Sequence, residues 1–152
     1  MAISEKEVQI GITIEQAWDF TSEPDNWLPL MPGYISHSIL SEDEIEWVFL
    51  GDFGFMKKKV TLQVEQLMRC EPASITFNLR GVSDPFKGAG YFELSYIDEG
   101  ISAIKGSLDI SAGGLMGGMV NSVLKTFVPQ ITSELVDKMK EELTGKTGLA
   151  SG

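Results

Sequence analysis

The spacing of apolar residues changes near residue 113. Before that point, apolar and polar residues alternate over most of the chain, which is typical of strands with one buried face. After it, apolar residues recur three and four positions apart, which is typical of one face of a helix. The pattern therefore predicts a sheet followed by one long terminal helix. The six strands predicted before the helix are 35–40, 44–50, 56–68, 74–82, 86–97 and 101–112.

Short connections with turn-forming residues separate these strands, so we expect neighbours to pair as antiparallel hairpins. The alternation predicts which side chains face the interior. The predicted inner sets are Val60, Leu62 and Val64; Ile75, Phe77 and Leu79; Phe92, Leu94 and Tyr96; and Ile104, Leu108 and Ile110. In the strand 44–50, Ile45, Trp47 and Phe49 form the predicted inner set, although Val48 and Leu50 leave the other face open.

The first 33 residues predict one strand and two short helices. The strand is 5–12, with Val8, Ile10 and Ile12 on one face. Thr13 and Gln16 have the spacing of a capping box, which begins the first helix. The second helix is predicted after Ser22 and ends at Pro32-Gly33. The chain is therefore predicted to be an α+β protein with a seven-stranded antiparallel sheet, and residues 1–143 are predicted to form its single domain.

The terminal helix is predicted to carry two apolar stripes that point in different directions. One stripe runs from Met116 to Ile131 and the other from Val128 to Leu143, rotated by roughly 100° on a helical wheel. Pro129 lies where the direction changes, and its missing amide and bulky ring favour a kink. If the helix bends there, 113–128 is the movable half and 131–143 the anchor. The tail, 144–152, is predicted to be flexible.

Composition narrows the class of protein. The 152 residues carry a formal net charge of -10, which disfavours binding to a phosphate backbone, so we expect no nucleic-acid partner. No apolar run approaches the roughly 20 residues that cross a bilayer, and the first residues do not form a secretory signal. The single cysteine, Cys70, rules out an internal disulfide and fits a reducing compartment. The protein is therefore predicted to be cytoplasmic.

The residues offer little chemistry, and we predict no catalytic residue, no metal site and no cofactor. His37 is the only histidine, and its pattern fits a structural role better than that of a general base. Cys70 has only Arg69 beside it as a group that would activate a thiol. The glycine pairs after Ala112 fit either an anion site at a helix start or a close approach of helix and strand. In the basic run Lys57-Lys58-Lys59, Lys58 is predicted to point the opposite way from its neighbours; a solvated edge and contact with acidic lipid remain alternatives.

The order of elements resembles the helix-grip fold of pollen-allergen, lipid-transfer START and polyketide-cyclase proteins, the SRPBCC superfamily. Within it, the chain is most similar to the G-type accessory family of carbon monoxide dehydrogenase. The matching features are Trp18, Met31-Pro32-Gly33, Gly51-Asp-Phe-Gly-Phe-Met-Lys57, Glu71-Pro72-Ala73-Ser74 and Gly113-Gly114. The resemblance extends over nearly the whole chain.

The resemblance implies a ligand cavity between sheet and helix, although large side chains that simply fill this space are the alternative. The expected cavity-lining residues are Trp47, Phe49, Phe77, Phe92, Tyr96, Met116, Met119, Val123 and Phe127. The implied function is non-enzymatic binding of a lipid or quinone-like molecule, with transient membrane contact and a molybdenum hydroxylase of the carbon monoxide dehydrogenase kind as partner. A small cyclase, dehydratase or hydrolase and a ligand-free protein-binding module are the alternatives.

Overall fold

Seven strands in the described part of the chain form one antiparallel sheet. The computed structural model describes residues 2–54, 56–114 and 117–146, without the side chains of residues 2, 3 and 146. The strands are β1 Ala2–Ile10, β2 Tyr34–Ile39, β3 Ile45–Asp52, β4 Lys57–Cys70, β5 Ser74–Gly81, β6 Phe86–Asp98 and β7 Ile101–Ala112. The sheet order is β1-β7-β6-β5-β4-β3-β2, so β2 to β7 pair as consecutive hairpins and β1 pairs with β7.

Helical elements lie between β1 and β2 and at the end of the chain. Helix α1, Ile14–Thr21, begins with the predicted capping box between Thr13 and Gln16. The second predicted helix is instead two 3₁₀ turns, Pro24–Asn26 and Leu28–Leu30. A continuous helix would need the amide that Pro29 lacks, which explains this difference.

The curled sheet holds the long helix α2, Gly117–Lys146, against β1 and β7. This is the predicted helix-grip arrangement. The structure thus confirms the fold class. The first residues of the predicted tail belong to α2, and residues 147–152 lie outside the described chain. None of the helices described is long and apolar enough to span a membrane.

Burial confirms the alternation in the strands with one exception. The predicted inner residues of β3, β4, β5 and β7 are all at most 4% exposed. In β6, Phe92 and Leu94 are buried, but Tyr96 is 66% exposed, so its predicted inward position is wrong. From Ser95 to Asp98 every residue of β6 is exposed, because the strand continues beyond the part of the sheet that other elements cover.

A cluster of aromatic rings fills one end of the interior. The ring of Trp27, which precedes the second 3₁₀ turn, has its centroid 4.8 Å from that of Phe92, 5.6 Å from Phe77 and 5.9 Å from Trp47. Both indole N–H groups are satisfied: Trp27 donates to the Thr21 carbonyl at 2.9 Å and Trp47 to the Leu28 carbonyl at 3.0 Å. These bonds fix the rings in a closed core.

The two halves of α2 are buried to different extents. After Pro129, Val136 and Met139 are completely buried. Before it, Met119 is 66% exposed and Val123 is half-buried. Pro129 lies inside the helix as predicted. The bend at Pro129 stays a prediction.

Candidate functional site

The candidate site is an open pocket of about 450 Å³ beneath the first half of α2, called here the α2 pocket. Three connections and the helix build it: the β3–β4 turn, the β5–β6 turn and the β7–α2 junction. The lining residues are Phe53, Met56, Lys58, Asp84, Pro85, Phe86, Ala112, Gly113, Gly114, Met119, Val120 and Val123. Apart from Lys58 and Asp84, these residues present apolar side chains or none.

The β3–β4 turn places Phe53 at one wall. The Phe53 amide donates to the Met56 carbonyl at 2.9 Å, and the Gly54 amide donates to Asp52 Oδ1 at 3.0 Å. Gly54 has φ +91°, a left-handed conformation that favours glycine. The Phe53 ring then packs on the Phe127 ring of α2, with centroids 4.5 Å apart. The turn therefore supplies an aromatic wall that reaches the helix.

The β7–α2 junction fixes where the helix begins. Asn121 clamps the end of β7: its Oδ1 accepts from the Ala112 amide at 2.8 Å, and its Nδ2 donates to the Ala112 carbonyl at 2.9 Å. A Cβ at Gly117 would lie 2.8 Å from that same carbonyl oxygen, so a larger residue would push the helix away. Gly117 thus matches the close-approach interpretation of the glycine pairs. The role of Asn121 was not predicted, because a single asparagine in a helical pattern carries no such signal.

The one polar feature in the described lining is an ion pair. Lys58 Nζ lies 3.3 Å from Asp84 Oδ1. Lys58 shares the inner face of β4 with Val60 and Leu62, whereas Lys57 and Lys59 point to the other face and are exposed. The predicted split of the lysine run is therefore confirmed.

A second pocket, of about 420 Å³, lies next to the α2 pocket. It is lined by Asp52, Phe53, Gly54, Val123, Thr126, Phe127 and Gln130. Phe53 and Val123 line both pockets, so their side chains form the partition between them. A movement of the Phe53 ring would join the two spaces into one longer groove.

The structure divides the predicted cavity-lining residues into groups. Met119, Val123 and Phe127 line the pockets described above. Four predicted lining rings belong instead to the filled core, namely Trp47, Phe49, Phe77 and Phe92. Tyr96 is exposed at the far end of β6. Met116 lies outside the described residues.

The pocket residues that the sequence did not indicate come mainly from turns. Phe53, Met56 and Pro85 lie in or beside connections, where no periodicity marks a buried face. Phe86 begins a strand and Val120 lies on the predicted helix stripe, and both had a signal for burial but none for a cavity. A cavity depends on which elements separate, and a one-dimensional pattern does not encode that.

The remaining candidates for chemistry have structural partners. His37 Nδ1 lies 2.8 Å from the Tyr34 hydroxyl and Nε2 lies 2.6 Å from Asp25 Oδ1. The Arg69 guanidinium donates to the Ser22 carbonyl at 2.7 Å, and Cys70 is exposed. Within the described ranges, no group of three or more His, Cys, Asp or Glu side chains could hold a metal ion.

Solved structures share this arrangement over nearly its whole length. A conserved protein from Geobacillus kaustophilus is 17% identical with a TM-score of 0.72, covering 94% of this chain and 95% of that one. A START superfamily protein from Mycobacterium smegmatis is 16% identical with a TM-score of 0.69, covering 95% and 99%. A norcoclaurine synthase point mutant from Thalictrum flavum, in complex with a transition-state analogue, is 13% identical with a TM-score of 0.67, covering 95% and 95%.

At these identities the similarity establishes the fold, which is that of the START and SRPBCC class. A protein-family model, described only as "-like", matches residues 1–143, and the chain belongs to that family. No curated protein matches the sequence.

Proposed function

We propose that this protein binds a hydrophobic small molecule, of lipid or quinone-like character, without transforming it. The observation that carries the proposal is the α2 pocket, whose lining is apolar apart from one ion pair. Burial of apolar ligand surface contributes roughly 25 cal/mol per Å², which is enough for micromolar binding after the costs of association. The START-type fold supports the same assignment.

An enzymatic role is the second candidate, because a structurally similar protein is a synthase. A catalytic pocket needs acid, base or nucleophile groups that converge on a substrate. In the described lining of the α2 pocket the ionisable side chains are Lys58 and Asp84, and each is engaged by the other. This composition favours binding over catalysis.

A more specific role rests on the sequence resemblance alone. We propose that the ligand-bound protein assists a carbon monoxide dehydrogenase-type molybdenum hydroxylase, by recruiting it to the membrane or by handing it the ligand. Affinity purification of the tagged protein from its native host, compared with an Asn121→Ala variant that loosens the pocket, tests this link. Absence of any molybdenum hydroxylase from both samples would remove the partner while leaving ligand binding intact.

Ligand binding is tested by melting the protein with quinones, fatty-acid esters and polyaromatic compounds. A ligand at a hundredfold excess over its Kd adds about 2.7 kcal/mol of stability, which raises Tm by a few degrees. We expect at least one class to give this shift, and no turnover of esters or hydroxyketones. If every compound leaves the melting curve unchanged, the binding proposal is wrong and the protein-binding module takes its place.

A further inference from the structure

The ion pair of the α2 pocket determines which polar group a bound ligand can place there. Lys58 projects from the inner face of β4, and Asp84 projects from the β5–β6 turn. Their side chains are 42% and 22% exposed, so both groups reach the open part of the pocket. Around them the lining is apolar, with Phe86, Pro85 and Met56 among the contributing residues.

A lysine ammonium has three N–H donors, and the contact with Asp84 Oδ1 at 3.3 Å uses one of them. The others remain available to an oxygen of the ligand. The positive charge of Lys58, however, is already balanced by the adjacent carboxylate. The pair therefore offers hydrogen bonds without a net charge.

This balance acts against anionic ligands. A ligand carboxylate that approached Lys58 would also approach Asp84, and like charges brought together at a partly desolvated site repel each other strongly. The chain as a whole adds to this repulsion, with a formal net charge of -10. An uncharged ester, ketone or alcohol oxygen accepts the same hydrogen bond without this cost.

We infer that the α2 pocket selects uncharged, chain-bearing molecules with an acceptor oxygen at one end, and that Asp84 is the residue that excludes free fatty acids. This inference rests on the proposed function and specifies its ligand class. The apolar chain lies along Phe86, Val120 and Val123, and the oxygen faces Lys58.

The test compares ligands of one chain length that differ only in the end group: methyl laurate, lauryl alcohol and laurate at neutral pH. Their affinities are measured for the wild-type protein, for Asp84→Asn and for Asp137→Asn. The last variant is the matched control, because Asp137 pairs with Lys6 at 3.6 Å on another part of the surface and its change alters the net charge equally. Lys58→Gln, which retains a donor but not the charge, is the second variant.

We expect the wild-type protein to bind methyl laurate at least about tenfold more tightly than laurate. Asp84→Asn leaves the Lys58 charge unbalanced and should raise laurate affinity by about tenfold or more, with little change for the ester. Asp137→Asn should behave as the wild-type protein does. Lys58→Gln should retain the ester and gain no affinity for laurate.

Two results distinguish the ways in which this inference fails. If wild-type protein binds laurate as tightly as its ester, or if Asp84→Asn and Asp137→Asn change laurate affinity equally, the ligand class is wrong although the pocket binds lipids. If none of the three compounds binds any variant, the pocket is not a lipid site, and both this inference and the proposed function are overturned.

Discussion

Gly106 shows how one missing side chain sets the distance between sheet and helix. It lies in the middle of β7, under α2, and a Cβ built there would be 2.6 Å from a methyl carbon of Val136 and 3.0 Å from the Phe92 ring. Val136 is completely buried, so it has no free space into which it can move. The close packing of α2 on the sheet therefore depends on glycine at this position.

The first prediction is that Gly106→Ala destabilises the protein by about 1–3 kcal/mol, the usual cost of overpacking a core. Urea unfolding measures the change. Gly118→Ala is the control, because nothing lies within 4 Å of its added Cβ and alanine favours the helix. Equal stability of Gly106→Ala and the wild-type protein would mean that α2 is not held as closely as described.

Tyr91 is a residue whose titration reports on the outer face of the sheet. Its hydroxyl donates to a carboxylate oxygen of Glu5 on β1, and this bond, together with burial, raises the pKa of Tyr91 to about 12. In an unfolded chain the pKa of tyrosine is about 10. Between these values the folded protein retains a proton that the unfolded chain has lost.

The second prediction follows from that difference. The contribution of Tyr91 to stability is full below about pH 10 and is lost as pH rises towards 12. The Tm difference between the wild-type protein and Tyr91→Phe should therefore shrink or change sign over this range, and the tyrosinate absorbance step near pH 12 should disappear in the variant. A constant Tm difference from neutral pH upwards would show that the bond to Glu5 does not control the titration.

At the scale of elements, the hydrogen bonding around Pro129 supports two unequal halves of α2. Proline cannot donate to the Lys125 carbonyl. One residue earlier, the Val128 carbonyl accepts from the hydroxyls of Thr132 at 2.7 Å and Ser4 at 3.4 Å. Because Ser4 belongs to β1, this bond ties the helix to the sheet on the side of the buried half. Added side-chain hydroxyls of this kind also tend to bend a helix.

The third prediction is that amide hydrogen exchange is faster in 117–128 than in 131–143, and that the helix axis bends by more than about 20° at Pro129. The first half has Met119 and Val123 at an open pocket, whereas the second half has its apolar face buried. Exchange measured by mass spectrometry resolves the two halves after proteolysis. Equal protection throughout α2 would exclude a movable first half.

The β3–β4 turn is the other element that controls the size of the site. Phe53 stands between two pockets of about 450 and 420 Å³ and rests on Phe127. A Cβ at Gly51 would lie 3.0 Å from the Phe53 ring, so the ring needs glycine beneath it to occupy this position. The partition is thus built by local packing.

The fourth prediction is that Phe53→Ala joins the two pockets and extends the range of ligands towards longer chains. Methyl laurate and methyl stearate, compared by Tm shift, should show a relative gain for stearate in the variant at some cost in stability. Met68→Ala, a change at an exposed apolar residue of β4, is the control and should leave the preference unaltered. An unchanged preference in Phe53→Ala would show that the ring does not separate the spaces.

For the whole molecule, the sequence predicted what depends on periodicity and missed what depends on where elements end or separate. Alternation identified the buried faces of β4, β5 and β7, because side chains on a strand must alternate. The same alternation assigned Tyr96 to the interior, since it gives the face of a residue but not the extent of the cover over it. The 3₁₀ turns replaced a predicted helix because Pro29 removes an amide that the pattern of apolar residues does not take into account.

The candidate site was less predictable for a related reason. The ring of Trp27 fills the space between Phe77, Phe92 and Trp47, and it comes from an irregular segment whose position no periodicity specifies. The open space lies further along the helix, where turn residues such as Phe53 and Pro85 meet α2. Of the predicted lining residues, those on the helix therefore came closest to the pocket, and those on the strands became core.

The most direct test of ligand binding in the α2 pocket is a titration of the Val123→Trp variant with an apolar ligand that stabilises the wild-type protein. Val123 lines both pockets, so an indole at this position fills the space from the side of the helix without disturbing the core around Trp27. Ile97→Trp, at an exposed residue of β6, is the control for the added aromatic surface. We expect the ligand to raise Tm by a few degrees in the wild-type protein and in Ile97→Trp, and to leave Tm unchanged in a folded Val123→Trp. An equal shift in all three proteins would contradict binding in this pocket, because the ligand would then bind elsewhere.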